Sequence, residues 1–178
     1  YVLNVLEQNS SALQLAIHAT TKEELSLIAQ VRGKIYYNTA VDATNGVEKV
    51  NIPVSMLPFG VCQLTLFDSK GIARCERLVF VNQNKQLNVS ISTDKEKYLP
   101  REKVTAIINV TDENGMPVAA HLSLSVTNDE LLSFADDIQG NILSHLFLEQ
   151  DVKGKIEEPA FYFTKAPKAT QGLDYVMM

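Results

Sequence analysis

Short runs in which apolar and polar residues alternate recur through the first part of the chain, and this period-two pattern is the strongest constraint on what it folds into. Leu13, Leu15 and Ile17 alternate with Gln14, Ala16 and His18; Leu25, Leu27, Ala29 and Val31 alternate with Ser26, Ile28, Gln30 and Arg32. Successive residues of a strand point to opposite faces, so each run predicts a half-buried β-strand. Similar runs fall near 2–6, 35–41, 47–52, 61–67 and 73–81, separated by QNSS, RGK, TNG, PFG and DSKG. Those separators are rich in the residues that end strands and make turns.

Seven strands in about eighty residues match the count and turn spacing of an immunoglobulin- or fibronectin-like sandwich. The polar segment NQNKQ, residues 82–86, is the candidate seam, after which the alternation restarts. Leu87, Val89 and Ile91 share one face, as do Val104, Ala106, Ile108 and Val110, and then Val118, Ala120, Leu122, Leu124 and Val126. Between the last two runs stands DENG, where Asn114 and Gly115 tolerate the left-handed backbone of a tight turn. A chain of 178 residues has room for one large domain or two of ordinary size. The expected architecture is all-β with minor helix: two tandem antiparallel immunoglobulin- or fibronectin-like β-sandwiches, residues 1–82 and 83–178.

Near the C-terminus the period changes. NILSHLFLEQDVKG places Ile142, Leu143, Leu146 and Phe147 on one helical face, with Asn141 as N-cap and Gly154 as stop. This predicts a helical insertion in the second sandwich near 141–150. EEPAFYFT offers one more strand after Pro159, and KATQGLDYVMM predicts a C-terminal helix near 168–178. The chain opens on Tyr1 without an initiator Met and stops on three apolar residues, which reads as a piece cut from a longer protein.

Chemistry is sparse. A net charge of -5 with scattered Lys and Arg provides no basic stripe, so nucleic acid is not an expected partner. No window approaches the roughly 18 uninterrupted apolar residues of a membrane helix, so direct membrane insertion by this piece is not expected either. The carboxylate pairs Glu23/Glu24, Asp136/Asp137 and Glu157/Glu158 are adjacent in sequence, and adjacent side chains diverge on a strand or a helix instead of sharing a proton. Asp136, Asp137, Gln139 and Asn141 are oxygen ligands suited to a hard cation, but they lack EF-hand spacing and read as a loop leading into the helix. His18, His121 and His145 are scattered. NSS, NVS and NVT match the glycosylation sequon at Asn9, Asn88 and Asn109, two of them inside strands. No nucleophile elbow, dinucleotide loop or Walker loop is present. The expectation is therefore a protein that is not an enzyme, with no catalytic, cofactor-binding or metal-binding residue and no cofactor.

Cys62 and Cys75 flank the DSKG turn. If Asp68 to Gly71 closes the hairpin with Phe67 opposite Ile72, Cys62 falls opposite Arg77 and Cys75 opposite Leu64. The thiols then sit diagonally, about 7 to 8 Å apart and beyond comfortable disulfide reach unless a bulge shifts the register, which predicts two free, largely buried thiols.

The pieces TDKEKYLPREKV, VTDENGMPVAAHLSLSV and TNDELL resemble the signature of macroglobulin-like domains, the fibronectin-like sandwiches strung in tandem through α2-macroglobulins, complement components and their bacterial relatives. Asp94, Lys95, Tyr98, Pro100, Glu102 and Val104 match its first part. Val110, Asp112, Gly115, Pro117, Val118, Ala120, Ser123, Val126 and Asp129 approximate its second. Arg101 stands where the family has Gly, which predicts a turn after Pro100 that does not need positive φ. LPFGVCQLTLFDSKGIARCERLVFV, LFLEQDVKGKIEEPAFYF and KAPKATQGLDYVMM further resemble segments of large Bacteroidetes-type envelope proteins, in which such domains precede a region similar to the plug of TonB-dependent receptors. The resemblance implies a non-catalytic structural or interaction module in the periplasm, outer membrane or cell surface, with neighbouring domains of the parent chain and an envelope protein as partners. Its alternatives are part of a protease-inhibiting assembly, or an adhesion and docking module using a sheet edge. The Gly-Cys-Gly-Glu-Gln thioester of the protease traps is absent, since GVCQL around Cys62 lacks its context.

Overall fold

The structure is a computed structural model that describes residues 1–20, 22–44, 46–127 and 140–178. It is mostly β, and every strand pairing among the described residues is antiparallel. The chain divides into two compact units, Tyr1–Gln83 together with Ala135–Met178, and Asn84–Phe134.

Seven strands of the first unit coincide with the seven alternating runs: β1 (Val2–Gln8), β2 (Ala12–His18), β3 (Glu24–Val31), β4 (Lys34–Asp42), β5 (Val47–Pro53), β6 (Gly60–Phe67) and β7 (Ala73–Val81). They form a three-stranded sheet, β1-β2-β5, and a four-stranded sheet, β4-β3-β6-β7. One core draws on both. Leu13, Leu15, Ile17 and Ile52 from the first sheet cluster with Leu25, Leu27, Leu64 and Leu66 from the second, all fully buried. Each such side chain contributes about 1.5–3 kcal/mol by leaving water.

β6 departs from simple alternation, because Val61 on the opposite side of the strand from Cys62 and Leu64 is also buried. The cause lies at the C-terminal end of the chain. Val61 and Phe80 pack with Leu148, Leu173 and Met177 in a second core, with Phe59, Phe147 and Phe163 around them. These side chains belong to a helical turn Ile142–Ser144 that widens into His145–Glu149, a 3-10 turn Pro159–Phe163, and a helix Ala169–Val176. Residues 140–178 thus cover the outer face of β6 and β7 and pack with the first strands of the chain, whereas the sequence grouped them with the second half. Apolar side chains on both faces of a strand demand cover on both faces.

The segment EEPAFYFT is a 3-10 turn and not the expected strand. Glu158 takes a left-handed φ of 46° and Pro159 opens the turn, so the chain coils at the point where a ladder would have to begin. Asn141 does cap its helix: its Oδ1 accepts from the Ser144 amide at 2.9 Å, and its own amide donates to Ser144 Oγ at 2.9 Å. Helix Ala169–Val176 comes close to its neighbour at Gly172, where an added Cβ would lie 3.1 Å from Tyr162 Cε1.

Among its described residues the second unit holds one hairpin, β8 (Asn88–Thr93) and β9 (Ala106–Thr111). The third expected run, 118–126, makes no ladder; its pairing ends at a single bridge from Thr111 to Pro117 and a bond from the Val118 amide to the Val110 carbonyl at 3.2 Å. The DENG turn forms as expected, with the Met116 and Asn114 amides donating to Asp112 Oδ1 and Gly115 at φ 79°.

Candidate functional site

The residues that match the first part of the macroglobulin-like signature lie in the loop between β8 and β9. Asp94 accepts from the Tyr98 hydroxyl at 2.6 Å and from the Thr105 amide at 3.0 Å, and its own amide donates to the Thr105 carbonyl. The Tyr98 hydroxyl in turn accepts from the Lys95 amide at 3.0 Å. Glu102 accepts from the Leu99 amide at 2.8 Å and pairs with Lys95. Asp94 and Glu102 are held below the usual carboxylate range, the first chiefly by the Tyr98 hydroxyl and the second chiefly by Lys95. These groups satisfy one another, so the loop is a self-contained clasp that joins the two strands.

Arg101 in this clasp has φ 66°, the left-handed region. The expectation that its turn avoids positive φ is therefore wrong. The turn keeps the geometry that suits Gly, and Arg101 bears the steric cost of its Cβ.

The remaining sequence candidates are dispersed. Glu23 bonds to the Tyr1 hydroxyl and accepts from Ser69 Oγ at 2.7 Å. Its neighbour Glu24 borders an open depression of about 540 Å³ on the outer face of the four-stranded sheet, with Ser26, Ile28, Phe67 and Asp68. Asp68 is buried there, but its carboxylate is occupied by the Lys70 and Ile72 amides and by Arg74, and it holds the β6–β7 turn. Those bonds, the Ile72 amide first, hold Asp68 below the usual carboxylate range. Asp136, Asp137 and Gln139 lie outside the described residues. Glu157 and Glu158 are exposed. His18 lies on β2, His121 in the exposed 118–126 run, and His145 pairs with Glu149 one helical turn on. Of the three sequon asparagines, Asn9 is engaged in its own turn and Asn88 donates to the Asp112 carbonyl. Among the described residues no group of three or more His, Cys, Asp or Glu could hold a metal ion, and no helix is long and apolar enough to cross a membrane.

The cysteines sit differently from the sequence expectation. A turn one residue wider than expected, which sets Phe67 opposite Ala73, and a bulge between Leu66 and Phe67 together move the register by two residues, so that Cys62 faces Val79 and Cys75 faces Leu66. Four residues of strand, about 13 Å, separate their levels, and both are free. Burial pushes the Cys62 thiol up to about 12 and raises Cys75 as well.

Sequence reasoning missed the residues that fasten the outer cover. Arg32 donates to the Leu146 carbonyl, pairs with Asp151 at 3.3 Å and lies 4.7 Å over the Phe147 ring. Arg77 pairs with Asp174 at 3.1 Å. Asn82, read as part of a polar seam, is buried at φ 57° and donates to the Leu57 carbonyl at 2.6 Å and the Val54 carbonyl at 3.1 Å. Beside it Gln83 donates to the Tyr162 carbonyl at 2.7 Å. The signal for Asn82 was its place directly after an apolar strand, where Asn adopts the left-handed backbone more readily than most residues. Compared with protein-family models and with curated proteins, the chain matches none.

Proposed function

We propose that the chain is a non-catalytic structural and interaction module of a larger exported bacterial cell-envelope protein, built from macroglobulin-like β-sandwiches and linked to a TonB-dependent outer-membrane system. The observation that carries this reading is the clasp. Asp94, Lys95, Tyr98 and Glu102, on which the resemblance rests, have partners within one loop, so their residue types have a joint structural use. In this reading the two sheets of the first unit are the layers of one sandwich, and the β8–β9 hairpin belongs to one layer of another.

The edge-docking alternative has one observation in its favour. β4 is a nine-residue edge of its sheet, with Ile35 half exposed, and an unpaired edge can receive an extended partner strand.

Tagging the protein in a Bacteroidetes-type host and fractionating the cells tests the module reading. Recovery with the periplasm or outer membrane is expected, and retention in the cytoplasm rejects it. Proline substitution along β4 tests the second reading: capture of an envelope partner should cease while the thermal melt stays in place, and capture that survives excludes the edge.

A further inference from the structure

Residues 140–178 hold to β6 and β7 through side chains. Among the described residues no backbone-to-backbone hydrogen bond joins them to a strand, so the ladders of the four-stranded sheet do not depend on them. The core between the two sheets, around Leu13, Leu27 and Leu64, and the outer core, around Val61, Phe80 and Leu148, have no residue in common. The two sheets therefore keep their shared interior when the outer cover leaves. The cover has no such independence. Its longest helix, Ala169–Val176, is eight residues, short of the ~12–15 that an isolated helix needs in water. Its aromatic rings find their partners on the sheet side, Phe147 edge-on to Phe59 with centroids 4.7 Å apart and Phe163 edge-on to Phe80 at 5.5 Å.

We propose that residues 140–178 are a strap that opens as one unit, at a lower free energy than the separation of the two sheets, and bares Phe59, Val61 and Phe80 when it does. A segment whose docking breaks no ladder and empties no shared core is the part of a fold that opens first, and pieces too short to stand alone let go together. Arg32 is its latch. From the β3–β4 turn one guanidinium donates to the Leu146 carbonyl, pairs with Asp151 at 3.3 Å and covers the Phe147 ring, so three contacts of the strap end when this side chain swings away. The Arg77–Asp174 pair fastens the C-terminal helix in the same way. Each pair has one open member, Arg32 at 43% and Asp174 at 51% side-chain exposure, so dissolved salt screens both. Ionic strength thus loosens the strap and leaves the aliphatic core between the sheets as it was.

The test is native-state hydrogen exchange, read by mass spectrometry on the 178-residue chain. Amides of 142–149 and 169–176 should exchange together, ahead of those of β2 and β3, and faster as salt is raised, while the Cys62 thiol, buried between the sheets, stays unlabelled by a thiol reagent. Arg32→Ala should raise strap exchange about tenfold and leave β2 and β3 unchanged. Lys34→Ala removes a charge from the same hairpin, one that lies over Tyr36, and should leave strap exchange unchanged. Should Arg32→Ala disturb the β3–β4 turn, Asp151→Asn keeps that turn and should raise strap exchange about threefold. Strap and β2–β3 amides that exchange at one rate with one denaturant dependence, strap exchange indifferent to salt, or Arg32→Ala and Asp151→Asn both behaving like Lys34→Ala would each overturn the assignment. None of those outcomes bears on export, which fractionation reads separately.

Discussion

The two units are written in the same alternating pattern and reach different ends. In Tyr1–Gln83 seven strands make two sheets that bury each other's apolar faces, and the outer face of β6–β7 receives its own cover from residues 140–178. Among the described residues of Asn84–Phe134 two strands pair, and Val89 and Ile91 on their apolar face are half exposed or more. Alternation decides which side chains share a face. It does not supply the second layer, and a two-stranded ribbon without one has no interior.

The sharpest way to break this contrast is to cut the same kind of side chain from each unit. Leu64→Ala should cost about 2–5 kcal/mol in denaturant unfolding, because it empties a fully buried site. Ile91→Ala should cost under about 1 kcal/mol, because its side chain is mostly solvated. Equal costs would mean that the hairpin face is covered after all. Asn82→Ala comes next, at about 1–3 kcal/mol, since it strips two carbonyls of a buried donor. Asn82→Gly, which relieves φ but lacks the amide, separates the hydrogen bonds from the backbone term.

In the second unit the sign reverses. Arg101→Gly should stabilise the clasp by about 1 kcal/mol by removing a Cβ from the left-handed region, readable as slower amide exchange at Thr105. A change in the opposite direction would show that the Arg101 side chain matters more than its backbone.

The smallest effect concerns pH. Asp94 and Glu102 have folded pKa values below their unfolded ones, so the clasp is fully stabilised above the ordinary carboxylate range and weakens as pH falls through and below it. Amide chemical shifts of Lys95 and Thr105 should move in that acid window while the core of the first unit does not. Unchanged shifts down to the acid limit would remove the carboxylates from the clasp.

Much of the first unit was legible because each strand announces itself locally: Leu13, Leu15 and Ile17 need only the rule that alternate residues share a face. The Asn141 cap and the DENG turn were legible for the same reason. What failed depended on distant partners. The β6–β7 register depended on a wider turn, in which Asp68 gathers the Lys70 and Ile72 amides and Arg74, and on the bulge between Leu66 and Phe67, and the two together moved both cysteines by two residues. The destination of the C-terminal segment was hidden too, although the consecutive apolar residues of LVFV, 78–81, were a sign that β7 is covered on both sides. The clasp lay between: its residues were visible as a motif, but that they satisfy one another appeared only in three dimensions.

The return of residues 140–178 to β6–β7 has a consequence for synthesis. Phe80 emerges from the ribosome about 95 residues, and Val61 about 115 residues, before Leu173 and Met177, so at ~5–20 residues per second they wait roughly 5–25 s for their cover. During that interval the nascent chain carries a bare aromatic patch on a sheet already able to form, and this patch is where a chaperone would engage it or a neighbouring nascent chain would stick.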